Sequence, residues 1–205
     1  MKLFFQQLAL GPMQNFSYLL GDADAKKVAI VDPGWEADKI LAAVNSAGLS
    51  PEAVWLTHAH YDHVQALEEL LAQVSLPVYV HSDERAGIPA GVKNIHSLQD
   101  GDTVSVGEVS VKCHHMPGHS PGMLCFEAPK ILITGDMLFI DSCGRIDLPG
   151  SDPQAMQASL EKLKKLADDL VVYPGHDYGP APFATLGEQK RTNPFLQANA
   201  ALRGE

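Results

Sequence analysis

Positive charge is scarce in this 205-residue chain: 15 lysines and arginines face 25 aspartates and glutamates, a formal net charge of −10. Proteins that bind polyanions ordinarily carry a basic patch, so neither nucleic acid nor an acidic membrane surface is expected as a partner. Long apolar runs are also lacking. No stretch reaches the roughly 18 residues that suggest a membrane span. The segment Met1 to Leu10, with one lysine and the polar pair Gln6-Gln7, reads as an edge strand rather than a signal peptide. Cysteine is sparse: Cys113, Cys125 and Cys143 are odd in number and lack the close spacing of a zinc knuckle or a redox dithiol. Reduced thiols and a cytoplasmic setting are the expectation. Cys113 and Cys125 fall in strand-like runs and read as core, whereas Cys143 lies in a loop and its role is open. No Ser-, Gly- or Pro-rich linker and no short-period repeat interrupts the chain, so residues 1–205 are expected to form a single domain.

What the chain does contain is concentrated chemistry. Thr-His-Ala-His-Tyr-Asp-His, starting at Thr57, places His58, His60, Asp62 and His63 within six residues. Imidazole nitrogens and carboxylate oxygens suit Zn²⁺ and similar divalent ions, and so dense a supply points to two metals rather than one. The segment follows the apolar run Ala53 to Thr57, a buried strand, and precedes Val64, Leu67, Leu71 and Val74, spaced for one face of a helix. In extended backbone His58 and His60 share a side, while Asp62 and His63, entering the helix, would project towards a second ion.

Upstream, Leu3 to Leu8, Phe16 to Leu20 and Val28 to Val31 read as strands, and a helix is expected from about Glu36 with Ile40, Val44 and Ala47 on its inner face. Between them, Asp32-Pro33-Gly34 is either a plain turn or a turn whose carboxylate orients a neighbouring ligand. Downstream, strands are expected at Pro77 to His81, Thr103 to Val106, Val109 to Met116, Met123 to Glu127 and Ile131 to Thr134. A helix follows from Asp152 to about Ala167, capped by Asp152 and with Met156, Leu160, Leu163 and Ala167 inward. The tail from Phe183 to Arg203 reads as a short helical cover. Three further donors close apolar runs or tight loops: His119 in Met-Pro-Gly-His-Ser-Pro-Gly, Asp136 after Ile131 to Gly135, and His176 after Val171 to Gly175. Donors at rigid strand ends are well preorganised. Strands followed by a helix in both halves suggest two sheets packed face to face with helices outside. His81, His96, His114 and His115 are given no role.

The His-x-His-x-Asp-His turn followed by His119, Asp136 and His176 resembles the metallo-β-lactamase-fold superfamily over about residues 28–195. Pro-Gly-His-Ser-Pro-Gly, Gly-Asp-Met-Leu-Phe and Cys-Gly-Arg are similar to hydroxyacylglutathione hydrolases (glyoxalase II) and their short bacterial relatives. The resemblance implies an α/β fold, a four-layer αββα sandwich. It implies two divalent ions, zinc first with iron or manganese as alternatives: one held by His58, His60 and His119, the other by Asp62, His63 and His176, with Asp136 bridging. Asp62 would also orient the nucleophile, a hydroxide held by the ions, and Arg145 and Tyr178 are candidates for holding substrate. The implied partner is a small-molecule thioester such as S-lactoylglutathione, with the protein a monomer or homodimer. Two departures stand out. Gln65 replaces an often small residue and is expected at the pocket mouth. The chain is also shorter than the longer glyoxalase II enzymes, whose helical extension helps hold glutathione, so the expectation rests on the thioester more than on its glutathione half.

The alternative is a persulfide dioxygenase of the same superfamily, using one iron on a subset resembling His60, His119 and Asp136, a donor set suited to oxygen chemistry. Nucleases of the fold are disfavoured by the lack of basic patches, and lactamases by Asp136 where several have cysteine. A non-catalytic module is disfavoured because all seven donors are present.

Overall fold

The computed structural model describes residues 2–197. Its first sheet contains six strands in chain order: β1 (Leu3–Leu10), β2 (Asn15–Asp22), β3 (Lys27–Val31), β4 (Ser50–Trp55), β5 (Val78–His81) and β6 (Ile95–Leu98). The first three pair antiparallel and the rest parallel, with β1 at the edge as its polar glutamines suggest. The second sheet contains β7 (Thr103–Val106), β8 (Val109–His115), β9 (Leu124–Ala128), β10 (Ile131–Gly135), β13 (Val171–Pro174) and β14 (Ala184–Thr185), adjacent in that order. Between β10 and β13 in sequence, β11 (Leu138–Phe139) and β12 (Ser142–Cys143) form a small hairpin.

Period-two alternation sets the layers. Tyr18, Leu20, Ala29, Val31 and Trp55 point from the first sheet into the central core, where Val109, Val111, Cys113, Phe126 and Ile133 meet them from the second. The Trp55 and Phe126 rings lie 5.8 Å apart across it. The alternate residues Leu19, Val28, Ile30 and Val54 face outward under α1 (Ala37–Ser46), α2 (Tyr61–Val64) and α3 (Leu67–Gln73). On the far side Cys125, Leu132 and Val172 lie under α4 (Pro153–Leu163) and α5 (Leu186–Thr192). The result is the αββα sandwich.

Several local expectations are corrected. The single helix expected after the histidine turn is two, because Gln65 and Ala66 separate α2 from α3, and Ala66 N–H turns to the carbonyls of Pro33 and Gly34. The inner face there is Val64, Leu67 and Leu70, with Leu71 only partly buried. Ala47 and Ala167 are exposed because α1 and α4 end before them. Strand β6 was not anticipated: His96 and Ser97 are exposed on an edge strand and leave little apolar pattern. The helical cover is α5, and residues 198–203 of that expectation lie outside the described residues. Asp152 caps α4 by accepting from the N–H groups of Gln154 and Ala155. Among the described residues no helix is long and apolar enough to cross a membrane.

Candidate metal centre

Strand β4 ends at Trp55, and the next residues carry the histidines to the sheet edge. His60 is still extended (φ −63°, ψ 147°) as it caps α2, so His58 and His60 stay on one side and their rings sit 4.7 Å apart. Asp62 and His63 lie on the first turn of α2, and the centre of the His63 ring comes within 4.1 Å of that of the His58 ring. The Asp32 turn presses against this segment: a Cβ on Gly34 would lie 1.9 Å from the Asp62 carbonyl oxygen, so only glycine fits. Gly175 is equally constrained, since a Cβ there would fall 2.1 Å from Asp136 Oδ1.

The seven donors form two groups. Ligating atoms of His58, His60 and His119 lie within 4.8 Å of one another, as do those of Asp62, His63 and His176. Asp136 lies between: Oδ1 is 3.3 Å from His63 Nε2, and Oδ2 is 3.5 Å from His119 Nε2 and 3.3 Å from His176 Nε2. A third close group, Asp32, His58 and His63, links the two trios.

Acceptors on the outer ring nitrogens fix how the imidazoles point. His119 Nδ1–H donates to the Arg145 carbonyl and His176 Nδ1–H to the Met13 carbonyl, both at 2.9 Å, leaving each Nε2 facing inward. His63 Nδ1–H donates to Asp32 Oδ2 at 3.1 Å. The same carboxylate accepts Thr57 N–H at 2.7 Å and Thr57 O–H at 2.6 Å, which resolves the role of Asp32 in favour of orienting. Its backbone adopts a left-handed φ of 49° to do so. Thr57 Oγ1 in turn accepts from His58 Nδ1 at 3.1 Å.

The charges compete for protons. Burial and the neighbouring histidines hold His58 well below the ordinary imidazole range, and burial with His119 lowers His60. Burial would also lower His63 and His176, but the charge and hydrogen bonding of Asp136, with Asp32 or Asp62, outweigh it: His63 is raised well above its ordinary value and His176 to about 9. Asp62 falls to about 2, because hydrogen bonding to His176 and Asn15 and the charge of His63 overcome the opposing effect of burial. Asp136 is likewise held far down by His63 and His176 against its burial. His58 Nε2 is buried without a hydrogen-bond partner. Inward-facing imidazole nitrogens, ionised carboxylates and the orphaned His58 Nε2 are a donor set that divalent cations fit once the imidazoles shed their protons.

Two contributors were missed by sequence reasoning. Asn15 Nδ2 donates to Asp62 Oδ2 at 2.9 Å while its Oδ1 accepts from Trp35 Nε1 at 2.8 Å. Met13 holds His176 through its carbonyl. Neither is a ligand type, and their position at the β1–β2 turn gives no one-dimensional signal.

The centre opens into a cavity of about 770 Å³ with walls that include Met13, Tyr61, Phe139, Cys143, Arg145 and Tyr178. Tyr178 is half exposed, and its ring stacks on His176 with centroids 4.5 Å apart. Arg145 forms a bidentate pair with Asp147, both contacts at 2.6 Å. Gln65 is exposed and does not line the cavity, contrary to expectation, because α2 turns it outward. The histidines given no role lie outside the seven: His114 pairs with Glu127, and His81 stacks on His115.

All three cysteines are free, and burial pushes the thiols of Cys113, Cys125 and Cys143 up to about 12. A thiolate is the reactive species, so a disulfide-exchange reagent at pH 8 is expected to label Cys143 slowly and the other two only on unfolding. Fast labelling of Cys143 in the folded protein would contradict this.

A family model, the Metallo-beta-lactamase superfamily, matches residues 10–176. The chain is 31% identical over 184 residues to the probable polyketide biosynthesis zinc-dependent hydrolase PksB of Bacillus subtilis, covering 89% of this chain and 82% of that protein. It is 30% identical over 196 residues to the hydroxyacylglutathione hydrolase GloC of Haemophilus influenzae, covering 86% and 91%. Among solved structures it resembles TTHA1623 in a di-iron-bound form, with 39% identity, a TM-score of 0.82, and 93% and 100% of the two chains covered.

Proposed function

This chain belongs to the metallo-beta-lactamase superfamily as a metal-dependent hydrolase, and on that premise we propose that it hydrolyses small-molecule thioesters, S-lactoylglutathione or a related acyl thioester. The observation that carries the reading is the pair of donor trios meeting at Asp136. His58, His60 and His119 would hold one divalent ion, and Asp62, His63 and His176 the other, with Asp136 shared. Zinc is the first choice, given the zinc-dependent relative in Bacillus subtilis, with iron supported by the di-iron neighbour and manganese as a further alternative. Ions bound there supply Lewis acidity toward a carbonyl and a water acidic enough to attack near neutral pH.

The chain's own residues then do the positioning. Asp62, fixed by Asn15 and ionised, orients the attacking water rather than acting as a free base. The apolar wall of Met13, Phe139 and Tyr178 offers the acyl group a surface beside the centre. Water adds to the carbonyl carbon and the C–S bond breaks with its electron pair on sulfur; one proton of the water goes to the thiolate and the other to solvent, giving a carboxylate and a thiol. A thiolate leaves readily at neutral pH, so the site needs no strong protein acid. Arg145 lies at the wall with its charge already compensated by Asp147, so it offers an anionic substrate group a shared cation rather than a free one.

The test is direct. Purified protein loaded with zinc, and separately with iron, is expected to hydrolyse S-lactoylglutathione or a coenzyme A thioester with kcat/KM of about 10⁴ M⁻¹s⁻¹ or more. Failure of the loaded protein on every glutathione and coenzyme A thioester contradicts the proposal. One iron per chain with oxygen uptake on glutathione persulfide would replace it with the dioxygenase.

A further inference from the structure

Glu84 is a buried carboxylate with no part in the chemistry above. It lies in a 3-10 turn, Ser82–Gly87, that follows β5 directly. Carboxylates are seldom buried without compensation, and here the compensation is two backbone donors from different halves of the molecule. Oε2 accepts the N–H of Ala59, the residue between His58 and His60, at 2.8 Å. Oε1 accepts the N–H of Gly122, three residues past His119, at 2.7 Å. The first loop leaves a strand of one sheet and the second joins two strands of the other.

The packing around this carboxylate is close on both sides. A Cβ on Gly122 would lie 2.6 Å from Glu84 Cγ, and one on Gly87 would lie 2.6 Å from the Ala59 carbonyl oxygen. The Glu84 turn therefore meets the His58-Ala59-His60 segment at two points and the His119 loop at one. The spacing of His60 and His119, whose facing nitrogens are 2.9 Å apart, depends on how these two loops are held together.

We propose that Glu84 is a positioning residue for the metal centre, a staple that sets the separation of the His58–His60 turn from the His119 loop and so the ion affinity of the first trio only. This rests on the reading of His58, His60 and His119 as ion-holding residues. Its own oxygens are engaged by the backbone, so it acts through the loops. The second trio, carried by α2 and the end of β13, has no such link to Glu84.

The test is competitive zinc titration of the full chain, stripped of metal, against a chromophoric chelator. The wild type is expected to bind in two steps, one of which His119→Ala abolishes. Glu84→Gln preserves size but accepts through one oxygen only and turns an amide donor towards the other N–H. It is expected to weaken that same step by roughly 10–100-fold, as loss of ligand-orienting groups does, and the other by less than about threefold. Gly122→Ala, which pushes on Glu84 from outside, is expected to weaken the same step. Asp22→Asn is the control: Asp22 also accepts several backbone N–H groups, from Asp24, Ala25 and Glu108, but far from the trios, so it is expected to lower thermal stability and leave both steps unchanged. Equal weakening of both steps in Glu84→Gln, or no weakening in either site variant, overturns the staple while leaving the metal centre standing. No zinc binding by the wild type overturns both.

Discussion

Replacing Asp136 with alanine is expected to lower kcat/KM on the thioester by roughly 10³-fold, about 4 kcal/mol of transition-state stabilisation, while the protein remains folded. The size follows from where the carboxylate sits. It directly follows β10, a strand buried along its whole length, and its two oxygens reach His63 on one side and His119 and His176 on the other. Gly175 packs against Oδ1 so closely that even a Cβ would clash, which holds the carboxylate in one place. Asp136→Asn keeps the shape but offers one oxygen and a donor, so it is expected to retain one ion and little activity. Activity and ion content measured together decide the matter. Unchanged behaviour of Asp136→Ala in both would contradict the assigned role and restore a non-catalytic reading.

Metal-free and zinc-loaded protein are expected to respond in opposite directions to a pH rise from 6.5 to 9. In the metal-free fold His176 is raised to about 9, since Asp136 and Asp62 outweigh the effect of burial. A raised folded value means the folded state binds the proton more tightly than the unfolded chain. The stabilisation is thus complete below the unfolded value near 6.5 and is lost as pH climbs through about 9. At 1.36 kcal/mol per unit this amounts to about 3 kcal/mol, and His63 shifts in the same direction. His58 and His60 act oppositely: their depressed values favour the neutral ring and cost stability only below the ordinary imidazole value. With zinc present, the imidazoles must shed protons to bind, so affinity grows across the same interval. At a free concentration 1,000 times Kd the ion adds about 4 kcal/mol. Urea midpoints at pH 6.5 and 9, with and without zinc, check this. Parallel pH dependence of the two forms would contradict it.

Much of this architecture was legible because the chain writes it with period two. The alternation of Val28, Ala29, Ile30 and Val31 between two cores announces a strand with both faces covered. Donors stood out because His58, His119, Asp136 and His176 each follow an apolar run or a tight Pro-Gly loop. Less legible was whatever acts through backbone. Met13 and Arg145 contribute carbonyls to His176 and His119, and a carbonyl belongs to every residue. Asn15 and Glu84 act on partners 47 and 25 or 38 positions away, separations that only the sheet topology closes. Asp32 was ambiguous because Asp-Pro-Gly is ordinary turn chemistry, and only the approach of Thr57 and His63 distinguishes its second task. The last turns of α1 and α4 were overextended to Ala47 and Ala167, since alanine fits both a helix end and the turn beyond it.

Zinc content per chain, determined after chelation, reloading and removal of free ion, tests the shared centre most directly. Two ions per chain are predicted for the wild type, with His119→Ala and His176→Ala each losing one, since those residues belong to different trios. Absence of bound zinc, or a content that neither replacement changes, would contradict it.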